Sequence, residues 1–259
     1  MGERRSGTLI GGPTVLIEIG GFRLLTDPTF DAPRTFERPG AATLVKTRGP
    51  ALPAESLKRI DAVLLSHDQH ADNLDDSGRA LLPRAGAVFT TRIGASRLGG
   101  ATRGLAPWET VTLEGPEGAR LLVTATPARH GPPGVEPLTG EVIGFAIGLA
   151  KPGDSIYVSG DTVWYDGVAE VARRFSPRLV LLFAGAARTR GAIHLTMDSN
   201  DAIEAAHAFA GARIVPVHTD GWAHFSENGD ALAAAFATLG FADRLTRLES
   251  GRPTEIALA

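Results

Sequence analysis

The residue types best suited to chemistry lie in one short polar segment, residues 66–75, which reads Ser-His-Asp-Gln-His-Ala-Asp-Asn-Leu-Asp. This segment directly follows an apolar run that ends at Leu65, so it begins where a predicted buried strand ends. Imidazole and carboxylate groups packed this closely favour a divalent cation, and the donor set suits zinc, manganese or iron. The alternative is a solvated polar turn in which Asp72 or Asn73 caps the helix that follows.

Three more candidate ligands lie far from this segment in the sequence. His130, Asp161 and His218 each follow an apolar strand and open a loop. A single histidine at such a position is more often a hydrogen-bonded structural residue. Polar residues at several strand ends are harder to explain in that way, and they predict a metal site assembled from distant parts of the chain.

The elements that must position these residues recur in the same order in two parts of the chain. The first part contains a hairpin, a buried strand, a helix and another strand, predicted at 14–25, 62–66, 76–82 and 85–91. The second part repeats this order, with elements predicted at 143–159, 178–183, 199–210 and 210–218. Two related halves joined near Thr139 would pack sheet on sheet with helices outside. We therefore expect an α+β fold, a four-layer αββα sandwich, in a single domain that spans residues 1–259.

These motifs resemble those of the metallo-β-lactamase superfamily of metal-dependent hydrolases. The resemblance covers nearly the whole chain and is carried by Leu25-Thr26-Asp27-Pro28, Leu65-Ser66-His67, Ser159-Gly160-Asp161-Thr162 and Val217-His218. The chain is most similar to the branch that holds ascorbate-phosphate lactonases and N-acyl-phosphatidylethanolamine-hydrolysing phospholipases D. The resemblance implies a first metal held by His67, His70 and His130, and a second held by Asp72 and His218. It further implies that Asp161 bridges the two.

The first motif departs from the family pattern, His-x-His-x-Asp-His. If Asp72 is the motif aspartate, His70 fits the second histidine, but Asp68 and Asn73 stand where the outer histidines belong. If His67 is the first histidine, a glutamine stands in place of the second. We favour a one-residue insertion that pairs His67 with His70, and whether Asp68 or Asn73 is a ligand stays open. Because an amide oxygen is a weaker ligand than imidazole, we expect one or two divalent ions, zinc or manganese, with a second site that is weak, holds manganese or is empty.

The resemblance also implies the reaction. The metal would lower the pKa of water, and Asp72 would orient the resulting hydroxide and receive its proton. His194 resembles a histidine of this branch that lies beside the metals, where it would donate a hydrogen bond to the oxyanion or the leaving group. The expected catalytic residues are therefore Asp72 and His194. His224 is expected to support the site or a helix end rather than to bind metal.

Composition excludes several other functions. The chain has 259 residues, with 26 Lys and Arg against 29 Asp and Glu, and its formal net charge of −3 does not provide the basic surface typical of nucleic-acid binding. It has no cysteine, which excludes thiolate metal sites, iron–sulfur clusters and a cysteine nucleophile. We expect no secretion signal, because no apolar core follows the first residues, and no membrane anchor, because no apolar run approaches the roughly 20 residues that span a bilayer. A cytoplasmic location follows as an expectation.

The favoured function is hydrolysis of an ester, lactone or phosphodiester bond in a small molecule. The alternative is a catalytically degenerate member of the same fold that binds a metal ion or ligand without turning it over, which Asn73 motivates. We expect a small-molecule substrate as the binding partner and do not expect nucleic acid. Whether the chain forms a homo-oligomer stays open. Residues 29–53, with their several Pro and Arg, are expected to form a rim or lid over the site.

Overall fold

The computed structural model describes residues 5–37, 42–115 and 118–256. Its strands are β1 Arg5–Gly11, β2 Thr14–Ile19, β3 Phe22–Thr26, β4 Arg34–Phe36, β5 Leu44–Lys46, β6 Ala62–Leu64, β7 Val88–Thr91, β8 Thr102–Leu105, β9 Thr110–Glu114, β10 Arg120–Pro127, β11 Ile143–Gly148, β12 Ile156–Val158, β13 Leu179–Phe183, β14 Arg213–Val217 and β15 Thr254–Glu255. Its α-helices are α1 Asp76–Leu81, α2 Arg92–Leu98, α3 Glu136–Thr139, α4 Asp166–Arg174, α5 Ser199–Ala208 and α6 Gly229–Thr238.

In the described part of the chain, the strands form two large sheets and the small hairpin β4–β5. The first sheet has the order β15-β1-β2-β3-β6-β7-β8, and the second has the order β14-β13-β12-β11-β10-β9. In the first sheet, β2 pairs antiparallel with β3, which then pairs parallel with β6. In the second, β11 pairs antiparallel with β12, which then pairs parallel with β13. The same order of pairing in both sheets agrees with the two related halves predicted from the sequence.

The two sheets face each other across a large apolar cluster. Val15 and Ile17 of β2 and Leu179 and Leu181 of β13 enter this cluster, and successive residues of a strand point to opposite faces. The residues between them therefore face outward. Those of β13 pack against α4, α5 and α6, and those of β2 pack against the segments around α1. This layering confirms the αββα sandwich.

Several element boundaries differ from the sequence expectation. The helix expected at 199–210 ends at Ala208, and the helix expected at 76–82 is α1 continued by a 3₁₀ turn through Arg84. The segment 29–53 is not a plain loop, because its β-branched and aromatic residues form the hairpin β4–β5. Residues 38–41 of that segment lie outside the described residues.

The polar residues singled out in the sequence follow strands that end at the same edge of the sandwich. His67 follows β6, His130 follows β10, Asp161 follows β12 and His218 follows β14. His218 has a φ of 55°, a left-handed conformation that turns the chain sharply at the end of its strand. Within the described ranges, no helix is both long enough and apolar enough to cross a membrane.

Candidate metal centre

The first group of candidate ligands is a set of three histidines around one carboxylate. The ligand atoms of His67, His70, His130 and Asp161 all lie within 4.8 Å of one another. His130 Nε2 is 3.5 Å from Asp161 Oδ2, and His67 Nε2 is 3.9 Å from the same oxygen. His130 Nδ1 donates to the carbonyl oxygen of Leu195 at 2.7 Å. Because a carbonyl only accepts, this bond fixes the tautomer of His130 and leaves its Nε2 lone pair pointing into the group.

The second group shares Asp161 with the first. It consists of Asp72, Asp161 and His218, whose ligand atoms also lie within 4.8 Å of one another. His218 Nδ1 is 3.3 Å from Asp161 Oδ1, and His218 Nε2 is 3.4 Å from Asp72 Oδ2. Asp161 thus turns one oxygen toward each group, as a bridging carboxylate would.

The donor atoms of this second group fit a divalent cation. Asp72 Oδ1, Asp161 Oδ1 and both ring nitrogens of His218 are buried and have no hydrogen-bond partner among the described residues. A buried polar atom without a hydrogen-bond partner destabilises the folded chain. Four such atoms at one point therefore indicate a bound ligand. Carboxylate oxygen and imidazole nitrogen are donors that zinc and manganese accept.

The charges of the centre depend on contacts between its acids and its imidazoles. Burial opposes ionisation of Asp161, but the rings of His218 and His130 outweigh burial and hold the pKa of Asp161 well below its ordinary value. Burial likewise opposes protonation of His218, but Asp161 and Asp72 raise the pKa of His218 to about 10. Burial and the neighbouring His70 lower the pKa of His67, which keeps that ring neutral and able to bind metal. Two buried carboxylates therefore require positive charge here, and a divalent cation can supply it.

The side chains of the polar segment 66–75 face different ways. His67 and His70 belong to the first ligand group and Asp72 to the second. Asp68 faces the other way, where Arg97 Nε donates to its Oδ2 at 2.9 Å. Asn73 is fully buried, and its Nδ2 donates to Asp27 Oδ2 at 3.5 Å.

The structure does not bring His194 into the centre. Its Nδ1 is 3.0 Å from Asp198 Oδ2, and its ring also bonds Arg188. The next residue, Leu195, contributes to the wall of the cavity over the centre, whereas His194 does not. The catalytic role of His194 therefore stays a prediction.

The structure places His224 against a candidate ligand, which agrees with the supporting role expected of it. Its Nε2 lies 2.9 Å from Asp72 Oδ2, and its ring lines the cavity over the centre. The sequence feature that could have indicated this contact is the position of His224 six residues after His218, on the loop that follows the same strand. Trp164 and Tyr165, which follow Asp161 closely in the sequence, pack against the apolar cluster beneath α4 and α5.

A small cavity of about 50 Å³ opens over the centre. Its walls include His70, Asp72 and His130, and its other residues are mainly apolar, with Phe36, Ala42, Leu44, Leu138 and Leu195 among them. Thr189 and Arg190 supply polar groups at its wall. Phe36, Ala42 and Leu44 come from the segment predicted as a rim, so its described part borders the cavity. A larger cleft of about 910 Å³ runs along the other side of His70 and His130 and is lined by Arg92, Arg97 and Arg129.

Comparison with known families and proteins agrees with this arrangement. A family model described as "Beta-lactamase superfamily domain" matches residues 22–219. The UPF0173 protein YddR of Bacillus subtilis is 27% identical over 199 residues, which cover 75% of this chain and 76% of that protein. A UPF0173 metal-dependent hydrolase of Methanosphaerula palustris is 27% identical over 180 residues, which cover 68% and 75%.

Two solved structures are similar over nearly their whole length. An isothiocyanate hydrolase from gut bacteria of Delia radicum has a TM-score of 0.82 at 22% identity, with 97% of this chain and 99% of that chain covered. A possible metal-dependent hydrolase from Veillonella parvula has a TM-score of 0.81 at 20% identity, with the same coverage of 97% and 99%. At such low identity these likenesses show the fold.

Proposed function

The chain belongs to the beta-lactamase superfamily, and we propose that it is a metal-dependent hydrolase that cleaves an ester, lactone or phosphodiester bond of a small molecule. The observation that carries the proposal is the pair of buried His/Asp groups that share Asp161 beneath a cavity. The metal-dependent hydrolase of Methanosphaerula palustris supports the same class of activity.

The residues present fit a dinuclear centre. His67, His70 and His130 would hold one ion, Asp72 and His218 a second, and Asp161 would contact both. When bound, a divalent cation of this kind lowers the pKa of water and makes a nucleophile available near neutral pH.

The chain's own groups would then orient the reaction. Asp72 lines the cavity, and its Oδ1 has no partner among the described residues, so this oxygen can accept a proton from the attacking water. The apolar wall, including Phe36 and Leu138, would hold the uncharged part of a substrate and exclude bulk water. Arg190 is the cationic side chain in that wall and would contact a carbonyl or phosphoryl oxygen.

The size of the cavity supports a small-molecule substrate. About 50 Å³ directly over the centre admits a compact reacting group, while the adjoining cleft of about 910 Å³ can take the remainder of the molecule. The similar isothiocyanate hydrolase adds one further compact electrophile to those worth testing.

The second candidate function is metal or ligand binding without turnover. Asn73 favours it, because this buried residue stands where the family pattern has a histidine, and its Nδ2 donates to Asp27. A weakened second site would leave a bound ion but little hydrolysis.

Metal content and hydrolysis measured together test the proposal. We would purify the chain without chelator, count zinc and manganese per chain, and assay p-nitrophenyl acetate, a homoserine lactone, bis(p-nitrophenyl) phosphate and an alkyl isothiocyanate. We expect bound ions and turnover of at least one ester, lactone or phosphodiester, with a loss of roughly a thousandfold or more in His130→Ala. His207→Ala is the matched control, since His207 is an exposed histidine of α5 that contacts Phe241.

The outcomes separate the two candidates. Bound ions without turnover of any of the four compounds would favour the binding protein. No bound ion, even after zinc or manganese is added, would contradict both the hydrolase and the metal centre.

A further inference from the structure

The second ligand group has one imidazole fewer than its family pattern calls for, and Asn73 is the residue at that position. Its side chain is turned toward another acid: Nδ2 lies 3.5 Å from Asp27 Oδ2. Burial raises the pKa of Asp27 to about 8. An amide in this place cannot supply an imidazole nitrogen, so any further nitrogen ligand must come from elsewhere in the chain.

His224 places an imidazole nitrogen beside the same group. Its Nε2 is 2.9 Å from Asp72 Oδ2, the oxygen that lies 3.4 Å from His218 Nε2. Two imidazoles from one loop thus converge on one carboxylate oxygen. His224 Nδ1 is buried and has no hydrogen-bond partner in the described part of the chain.

The backbone holds His224 in this position from two sides. Its carbonyl oxygen accepts from Arg188 N at 2.9 Å, and the amide of the preceding residue, Ala223, donates to Val45 O at 3.0 Å. The ring lies against Phe225, with their centroids 4.7 Å apart. These contacts hold the backbone of His224 so that its ring stays beside Asp72.

From these contacts we propose that His224 supplies the second metal site with the imidazole that Asn73 cannot supply. The donor set of that site is then Asp72, Asp161, His218 and His224. Ligand atoms bound at 2.0–2.1 Å to a tetrahedral ion are about 3.4 Å apart. His218 Nε2 lies at this distance from Asp72 Oδ2, and His224 Nε2 lies closer to the same oxygen, at 2.9 Å. His224 lies outside the group of Asp72, Asp161 and His218, whose ligand atoms are within 4.8 Å of one another, and its ring lines the cavity, so on binding an ion it would move toward that group. The inference rests on the dinuclear centre proposed above.

A competing role for His224 is to hold Asp72 by a hydrogen bond without touching an ion. Glutamine separates the two roles, because its amide N–H can still donate to Asp72 Oδ2 but it presents no imidazole. If His224 only positions Asp72, the variant His224→Gln retains the second ion, and His224→Ala loses affinity by about 10–100-fold. If His224 is a ligand, both variants lose the second ion.

The experiment is a Co²⁺ titration of the full chain, freed of metal beforehand, followed by calorimetry and by the visible absorption of the bound cobalt. We expect two equivalents in the unaltered chain and in Asn73→Ala. In His224→Gln we expect one equivalent, with affinity for the second ion reduced by more than about 100-fold. The visible bands should change in intensity on addition of the second equivalent in the unaltered chain and not in this variant. Circular dichroism checks that each variant is folded.

The inference is overturned if His224→Gln retains two equivalents or if the unaltered chain binds only one. Loss of the second ion in Asn73→Ala would also overturn it, and that result does not depend on the folding of the His224 variants. A chain that binds no cobalt at all would instead contradict the proposed metal-dependent function.

Discussion

Asp68 and Asp72 belong to one short turn, yet only Asp72 faces the centre. The two carboxylates differ in the side chains that they contact. Arg97, on α2, binds the Asp68 carboxylate through Nε, so the negative charge of this buried residue is compensated outside the centre. Burial opposes ionisation of Asp72, but the neighbouring rings of His218 and His224 outweigh burial and hold the pKa of Asp72 well below its ordinary value. Local charge pairing, rather than residue type, therefore separates a structural acid from a candidate ligand.

Asp201 gives a prediction at this scale, because burial raises its pKa to about 6 while its carboxylate accepts from Trp164 N at 2.9 Å. The folded chain then holds a proton that the unfolded chain releases near pH 4, so the free energy of unfolding falls as pH rises from about 4 to about 6. Asn can keep the bond to Trp164 without the charge. We expect Asp201→Asn to be more stable than the unaltered chain at pH 7.5 by about 1 kcal/mol, a figure reduced for partial exposure, and to lose this advantage near pH 4.

Urea unfolding of both proteins at the two pH values measures the effect. Asp166→Asn is the control, since Asp166 also lies in the first turn of a helix but is exposed, so removing its charge should not raise the free energy of unfolding at pH 7.5. An Asp201→Asn chain that is less stable than the unaltered chain at pH 7.5 would contradict the prediction.

The hairpin β4–β5 is the element that connects the rim of the cavity to the polar segment. Its Lys46 donates to Asp75 Oδ2 at 2.9 Å, and both side chains are buried. Asp75 also accepts from the amides of Phe30, Asp31 and Gly78, so one carboxylate joins the rim segment to the start of α1. This anchor sets the position of Phe36 in the cavity wall.

Removing Lys46 would leave the buried Asp75 carboxylate without its cation. We expect Lys46→Ala to lower the free energy of unfolding by about 3–5 kcal/mol. Arg48→Ala is the matched control: Arg48 pairs with Asp220 at 2.6 Å, but it is exposed, so its loss should cost at most about 1 kcal/mol. Urea unfolding of both variants checks the prediction, and equal costs for the two would refute it.

At the scale of the whole molecule, the centre joins the two halves of the sandwich. His67, His70 and Asp72 follow β6 of the first sheet, whereas His130, Asp161 and His218 follow strands of the second. A bound ion therefore adds a link between two sheets that otherwise meet through apolar packing. Ligands that bind only the folded chain stabilise it by mass action.

Removal of metal should consequently lower thermal stability. At free zinc about a thousandfold above its dissociation constant, the folded chain gains about 4 kcal/mol, which corresponds to roughly 8–16 °C in Tm for a chain of this size. Differential scanning calorimetry with and without EDTA measures the shift. In His130→Ala the shift should be markedly smaller, because this variant has lost a ligand of the first ion, and a shift of the same size would be evidence against the centre.

Local sequence was enough to predict many features of the fold and of the candidate site. Apolar runs predicted the buried strands, and polar residues directly after those runs predicted the candidate ligands at their ends. The hydrophobic pattern alone indicates both, because a strand buried on both faces must be apolar, so that polar residues occur only after the strand ends. The order of elements likewise predicted two related halves.

Tertiary structure alone decided which of the polar groups face the centre. Asp68 is turned away by Arg97, 29 residues further along the chain, and His224 is brought to Asp72 from 152 residues away. His194 is held instead by Arg188 and Asp198. A side chain's direction depends on partners supplied by other elements, and those contacts exist only after the sheets have packed. The sequence by itself determined which residues could bind metal, and the packing of the two sheets determined which of them meet.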